Sequence, residues 1–202
     1  MGYMMSNALV YNKRSPHMLI VDGFYKDPDR IRDFALSLPY SEDIKFYKGL
    51  RSDKPCLLPY VREEFMRLLH VEITDWMQQN ANGIFQKTKD ADPLVYHSDG
   101  QDYAAAIYLT PDIPVSMGTS FWRNKKTGCR RPPNHPLENK NIPASDVYND
   151  NTILNADAWE LVDRVGSVYN RLVIWDAKMI HSASQYGAME RLVQLFFFNV
   201  KK

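Results

Sequence analysis

From about residue 84 onward the sequence breaks into short runs rich in β-branched and aromatic residues: "GIFQKTK", "PLVYHSD", "YAAAIYL", "VSMGTSFW", "WELVDRV", "NRLVIWDA", "MIHSAS" and "RLVQLFFFNV". Gly, Pro, Asn or Asp separates one run from the next. Side chains of the first kind fit a pleated, half-buried surface, and residues of the second kind make turns. Eight such strands over some 120 residues is the number that a double-sheet jelly roll or barrel needs. The spacing predicts a mainly β fold. One stretch departs from it: between Arg123 and Ala156, with prolines at 132, 133, 136 and 143, no period holds. It reads as a surface loop inserted in the β core, and a loop of that length in a compact domain is often a lid or a binding loop.

The first part of the chain reads differently. "MLIVDGFY" (18–25) is a short strand ending in an Asp-Gly turn. In "KDPDRIRDFALSLP", Asp27 caps a helix, Pro28 suits its first position, and Ile31, Phe34, Ala35 and Leu38 share one face before Pro39 stops it. A second helix is predicted over 59–80, where Val61, Phe65, Leu68 and Leu69 lead to Ile73 and Trp76. The expectation is one domain over 1–202. A strand and helices from 1–90 flank a β core formed by 91–202, and residues 123–156 form the loop insertion.

Charge and cysteine usage exclude several functions. Lys plus Arg number 25 against 24 for Asp plus Glu, so no global field steers the chain to nucleic acid or an anionic membrane. Cys56 and Cys129 stand far apart without CxxC spacing, which argues against a disulfide framework and a cysteine zinc site. The start of the sequence lacks the basic and apolar regions of a signal peptide, and no later stretch has the apolar length of a membrane span. The expectation is a soluble cytoplasmic protein with no membrane partner.

The chemistry is concentrated in four residues. His97 and Asp99 stand two apart in a predicted strand, where positions i and i+2 face the same way. They are either two ligands of one metal or a hydrogen-bonded pair with no chemistry. His181 lies 84 residues further on, and Arg191 follows it by ten at the start of the last strand. Two histidines and a carboxylate make the facial triad that leaves three positions open on non-haem iron, whereas zinc more often keeps one. A guanidinium inside an apolar strand requires an anion, and its planar fork matches a carboxylate. That anion is either a ligand or an acidic neighbour such as Asp176 or Glu190. His17, His70 and His135 read as structural or exposed.

The H-x-D pair, the distal histidine and the arginine ten residues beyond it resemble the Fe(II)/2-oxoglutarate-dependent dioxygenases. "GTSF" (118–121) and "NRLVIWDAKMIHSA" are similar to the corresponding runs of the prolyl-4-hydroxylase-like branch, although that branch often has two glycines where this chain has Met117-Gly118. The resemblance implies a double-stranded β-helix (jelly roll, cupin-like) core. It implies Fe(II) on His97, Asp99 and His181, the distal carboxylate of 2-oxoglutarate on Arg191, and consumption of O2 with release of succinate and CO2. A hydroxyl usually assists the arginine; Tyr108 and Thr119 are the candidates, with Tyr96, Tyr103 and Ser120 as alternatives. Asp99 favours hydroxylation over halogenation, because related halogenases lack this carboxylate.

Substrate choice in such a protein belongs to loops. "RNKKTGCRR" (123–131) carries five basic residues in nine. It is either a solvated loop or a border of the site that receives an acidic substrate, a phosphate or nucleic acid. Trp122 and Arg123 are the candidate substrate contacts, and "LFFF" (195–198) reads as buried sheet without a direct role. The expected substrate is a peptide or small molecule. The rival functions are a cupin-like metal-binding module, a nucleic-acid oxidative demethylase, and a zinc hydrolase, for which no separate general base stands out.

Overall fold

The computed structural model describes residues 16–42, 49–77, 81–89, 92–138 and 141–201. Within them run β1 (Met18–Val21), α1 (Pro28–Ser37), β2 (Tyr40–Glu42), β3 (Leu50–Ser52), α2 (Pro59–Leu69), β4 (Ile84–Thr88), β5 (Tyr103–Tyr108), β6 (Thr119–Asn124), β7 (Trp159–Val165), β8 (Leu172–Asp176), β9 (His181–Ala183) and β10 (Arg191–Phe198). They form a seven-stranded sheet in the order β1-β8-β5-β10-β4-β3-β2 and a three-stranded sheet in the order β7-β6-β9. Every pairing is antiparallel.

Strand alternation divides the large sheet into two faces. Tyr103, Ala105, Ile107, Leu192, Phe196 and Phe198 point to the helices, where Ala35 of α1 and Val61, Phe65 and Leu69 of α2 complete a buried core. Ala104, Ala106, Tyr108, Val173, Trp175 and Val193 point the other way and pack on Phe121 and Val165 of the small sheet. The run "LFFF" is thereby split residue by residue, because successive side chains of a strand leave opposite faces.

Both helices begin as their sequences dictate. The Asp27 side chain accepts the Arg30 amide at 3.1 Å, and Pro28 and Pro59 occupy first-turn positions that need no amide. The second helix stops well short of residue 80. His70 adopts a left-handed conformation (φ 54°), Val71 donates back to the Met66 carbonyl, and Ile73 then joins Val200 in a β-bridge. Residues 78–80 of the predicted helix lie outside the described residues, as does the amino-terminal stretch 1–15.

Three further differences bear on the site. "PLVYHSD" is not a strand; it contributes a single bridge, between His97 and His181. The 115–117 run forms a 3₁₀ turn, and β6 starts only at Thr119. Gly118 makes that start possible, since a Cβ there would lie 1.9 Å from the Val165 carbonyl oxygen. Strands β2 and β3 carried no readable sequence pattern. With β1 and β4 they join the large sheet directly instead of packing outside it.

The insertion after β6 runs over the surface but is anchored by a small buried cluster of its own. Cys129 and Val147 are buried with Tyr96, Trp159 and Ile180. Tyr96 stacks on Trp159 at 5.6 Å, the Trp159 indole donates to the Thr152 carbonyl, and Asn124 holds the Val147 carbonyl. Two 3₁₀ turns, Ala144–Asp146 and Ala156–Ala158, supply the local structure. Among the described residues no helix is long and apolar enough to cross a membrane.

Candidate metal centre

His97 and His181 face each other as a main-chain pair. Each donates its amide to the other's carbonyl, at 3.0 and 2.8 Å, and their rings lie 4.4 Å apart between centroids. The Asp99 amide donates to the Ala177 carbonyl at 2.8 Å, in the turn that leads from β8 to β9. Lys178, in the same turn, donates its ammonium to the carbonyls of Asp99 and Gly100. Backbone bonds therefore set where all three side chains start.

The side-chain geometry completes the arrangement. Nδ1 of His97 lies 3.0 Å from the Val95 carbonyl and Nδ1 of His181 lies 2.8 Å from the Met179 carbonyl. A carbonyl can only accept, so both Nδ1 atoms carry a proton, and in the neutral tautomer that this fixes each Nε2 presents a lone pair. Those Nε2 atoms stand 3.6 and 3.3 Å from the Asp99 carboxylate. Lone pairs opposed to a carboxylate at that range repel unless a cation lies between them. Oδ2 of Asp99 is buried with no hydrogen-bond partner, and the three ligand atoms all lie within 4.8 Å of one another. Two imidazoles and one carboxylate with an unsatisfied oxygen fit a first-row divalent metal.

The local electrostatics keep His97 and Asp99 in the forms that can bind a metal. The His97 side chain keeps 44% of its exposure, on the cavity that it lines. Burial of the ring, and then His181 beside it, push its imidazole below the ordinary value of 6.5. For Asp99, burial opposes ionisation, but His181, His97 and Arg51 outweigh it and hold the carboxyl below its usual range.

A cavity of about 420 Å³ opens from this centre, lined in part by Thr119, Trp175, Tyr186, Arg191, Leu195 and Phe197. Arg191 is buried, 5% exposed, with Nε donating to the Met117 carbonyl at 2.8 Å and its guanidinium 5.4 Å from the centre of the Tyr108 ring. Asp176 pairs instead with Arg131, and Glu190 with Lys87. Among the described residues no carboxylate pairs with Arg191. The Tyr108 hydroxyl donates to Thr119 Oγ1 at 2.8 Å.

The structure thus brings His97, Asp99, His181, Arg191, Tyr108 and Thr119 to one place and leaves other candidates outside it. Tyr96 belongs to the core of the insertion, Tyr103 stacks on Phe198 on the helical face, and Ser120 bonds Ser184. Neither proposed substrate contact lies at the cavity. Trp122 follows the inward Phe121, turns to the opposite face and donates to Ser182, while Arg123 is held by Glu160 at 2.6 Å. Sequence reading missed Arg51 and Gln86, which line the cavity from β3 and β4. It also missed Leu195 and Phe197, the inward half of "LFFF". Alternation along β10 from Arg191 was the signal available for the last two.

Comparison with known proteins follows the same lines. The fold is that of HygX from Streptomyces hygroscopicus. Its crystal structure with nickel, 2-oxoglutarate and hygromycin B bound matches with a TM-score of 0.57 and 14% identity over 91% of this chain and 83% of that one. The structure of HygX with nickel and 2-oxoglutarate gives 0.50 and 13% over the same shares. No curated protein matches the sequence significantly. The model of the family of unknown function DUF6445 matches residues 4–188, and the chain belongs to that family.

Proposed function

We propose that this chain is an Fe(II)/2-oxoglutarate-dependent oxygenase on a double-stranded β-helix core. In this reading it hydroxylates a small molecule or peptide, with O2 consumed and succinate and CO2 released. The observation that carries the proposal is the pairing, in one cavity, of the His97–Asp99–His181 cluster with a buried arginine that no carboxylate among the described residues neutralises. Burying an uncompensated guanidinium costs several kcal/mol, so a ligand carboxylate is its natural partner. The fold shared with HygX, a protein whose structure contains 2-oxoglutarate, supports the same reading. The "GTSF" and "NRLVIWD" runs ally the chain with the prolyl-4-hydroxylase-like branch. Free thiols at Cys56 and Cys129 suit a cytoplasmic setting.

In this assignment His97, Asp99 and His181 hold the metal, with the two backbone-bonded Nδ1 atoms fixing the ring orientations. Arg191 grips the distal carboxylate, and its own bond to the Met117 carbonyl fixes the angle of the fork. Burial raises the Tyr108 phenol, so it stays protonated and donates, with Thr119 beside it. Trp175, Leu195 and Phe197 form apolar walls that exclude water from the reacting centre. Iron, when bound with its cosubstrate, supplies the oxidising power that no side chain has.

An anaerobic titration of the purified protein with Fe(II) and then 2-oxoglutarate tests this. A saturable visible metal-to-ligand charge-transfer band, absent in His181→Ala, is the expected result. Metal binding without a band would instead favour a cupin-like metal-binding module. The basic segment lends the nucleic-acid alternative little support, because two of its five cations, Arg123 and Arg131, are paired with Glu160 and Asp176.

A further inference from the structure

His97 is fixed by its β-bridge to His181, but residues 98–102 belong to no strand. The Asp99 main chain is held from elsewhere. Its amide donates to the Ala177 carbonyl at 2.8 Å, and its carbonyl accepts the Lys178 ammonium at 3.1 Å. The same ammonium donates to the Gly100 carbonyl. Ala177 and Lys178 lie in the turn between β8 and β9, which also supplies the Met179 carbonyl that faces Nδ1 of His181. One short turn therefore aims two of the three candidate ligands.

That turn is itself tied down by the basic segment. Asp176, the last residue of β8, accepts the Lys178 amide on Oδ1 at 2.9 Å and Nε of Arg131 on Oδ2 at 2.9 Å. The Arg131 and Asp176 side chains are 8% and 14% exposed, and the half-exposed His17 brings Nδ1 to 3.5 Å from the same oxygen. Past the turn, the Ile180 amide donates to the Arg130 carbonyl at 2.8 Å. Arg130 and Arg131 thus grip the turn at both ends. A segment expected either to be solvated or to border the site is, at this end, spent on the turn that aims the ligands.

Charge stiffens these bonds, because an ionised donor or acceptor bonds about twice as strongly as a neutral one. Lys178 thereby restrains the backbone from which the Asp99 carboxylate projects, with Oδ1 3.6 Å from Nε2 of His97 and Oδ2 3.3 Å from Nε2 of His181. We propose that Lys178 is a positioning residue of the metal centre. It fixes the Asp99 carboxylate against the two imidazoles through the Asp99 and Gly100 carbonyls, and the Arg131–Asp176 pair holds the turn from which it reaches. This rests on the metal assignment of His97, Asp99 and His181, and the test keeps the two apart.

Cobalt(II) alone is the probe, titrated into the purified full chain in competition with a chelator, with the visible d–d absorption recorded at saturation. Lys178→Met keeps an aliphatic stem and removes the ammonium. Its Co(II) affinity should fall about tenfold, the usual effect of losing a group that orients a ligand. Its absorption should change as well, since this reports how the ligand atoms surround the ion. Lys178→Arg restores a cationic donor and should stay within about threefold of the wild type. Arg131→Gln combined with Asp176→Asn removes both charges of the pair, leaves neither buried alone, and should change the absorption in the same direction. Val61→Ala, in the core on the helical face of the large sheet, measures plain destabilisation and should alter neither reading. A Lys178→Met protein that differs from the wild type no more than Val61→Ala does, or a Lys178→Arg protein as weak as Lys178→Met, would overturn the positioning role alone. A wild-type absorption in the double variant would remove the Arg131–Asp176 pair from that role. Wild-type protein that binds no Co(II) would overturn the metal assignment and this role with it.

Discussion

The Tyr148 hydroxyl donates to Ser98 Oγ at 3.0 Å, and Ser98 is the residue between the metal-ligand candidates His97 and Asp99. Burial pushes the Tyr148 phenol up to about 12, so it remains a donor throughout the physiological range. The insertion also accepts the Tyr96 amide through the Ile153 carbonyl, one residue before His97. The insertion, read from the sequence as a lid or a binding loop, thus holds the H-x-D segment in place. Tyr148→Phe removes one hydrogen bond and little packing, so stability should fall by only about 1 kcal/mol. Divalent metal affinity should fall about tenfold, as it does when outer-shell partners are lost. Thermal melts of the apoprotein and a metal competition titration separate these two effects; an unchanged metal affinity would reduce Tyr148 to a packing residue.

Metal and cosubstrate binding should come apart on mutation. His181→Ala removes a ligand and should weaken divalent metal at least ~100-fold. Arg191→Gln leaves the cluster intact but removes the buried cation, at a cost to 2-oxoglutarate binding of about 2 kcal/mol or more, or ~30-fold. Tyr108→Phe should cost less than ~10-fold, the worth of one neutral hydrogen bond. Calorimetric titrations of each variant with metal and then with 2-oxoglutarate check the order.

Gly118→Ala should be far worse than an ordinary glycine replacement. The added methyl would meet the Val165 carbonyl at 1.9 Å, at the point where β6 begins and next to the Met117 carbonyl that anchors Arg191. A loss of at least about 3 kcal/mol is expected in chemical denaturation, with 2-oxoglutarate affinity reduced in whatever protein still folds.

The His97 imidazole should resist protonation in the metal-free protein. Burial, with His181 beside it, moves its protonation below the ordinary 6.5. Asp99 is shifted down as well, so it remains ionised over the same range. A pH series of imidazole NMR spectra, with His97 assigned by a His97→Gln variant, reads this directly; a His97 midpoint at or above 6.5 would contradict the assigned shift.

What the sequence revealed and what it hid follow from the range of the interactions involved. α1 was legible because its signals are local: Asp27 reaches Arg30, and Pro28 sets its own backbone angle. The inward register of Tyr108 and Thr119 was not, because it depends on which face of β5 and β6 meets the other sheet. α2 ended early for a nonlocal reason, since Ile73 is drawn into a bridge with Val200. The insertion hid its order because its buried residues, Cys129 and Val147 among them, follow no helical or strand period and acquire meaning only against Tyr96 and Trp159. Arg51 was invisible for a similar reason: nothing near it in sequence distinguishes a three-residue strand that borders a cavity.

The reciprocal amide bonds between His97 and His181 belong to the main chain, so they outlast any exchange of the two side chains. Position 97 and position 181 can therefore be recast independently of the scaffold. Cysteine, glutamate or alanine at either place would leave the two Cα atoms facing each other across the same bridge. The spacing of the donor atoms is inherited from the ladder, while the choice of element is left to the side chains. The proposed metal centre, organised in this way, would change its metal without rebuilding its fold.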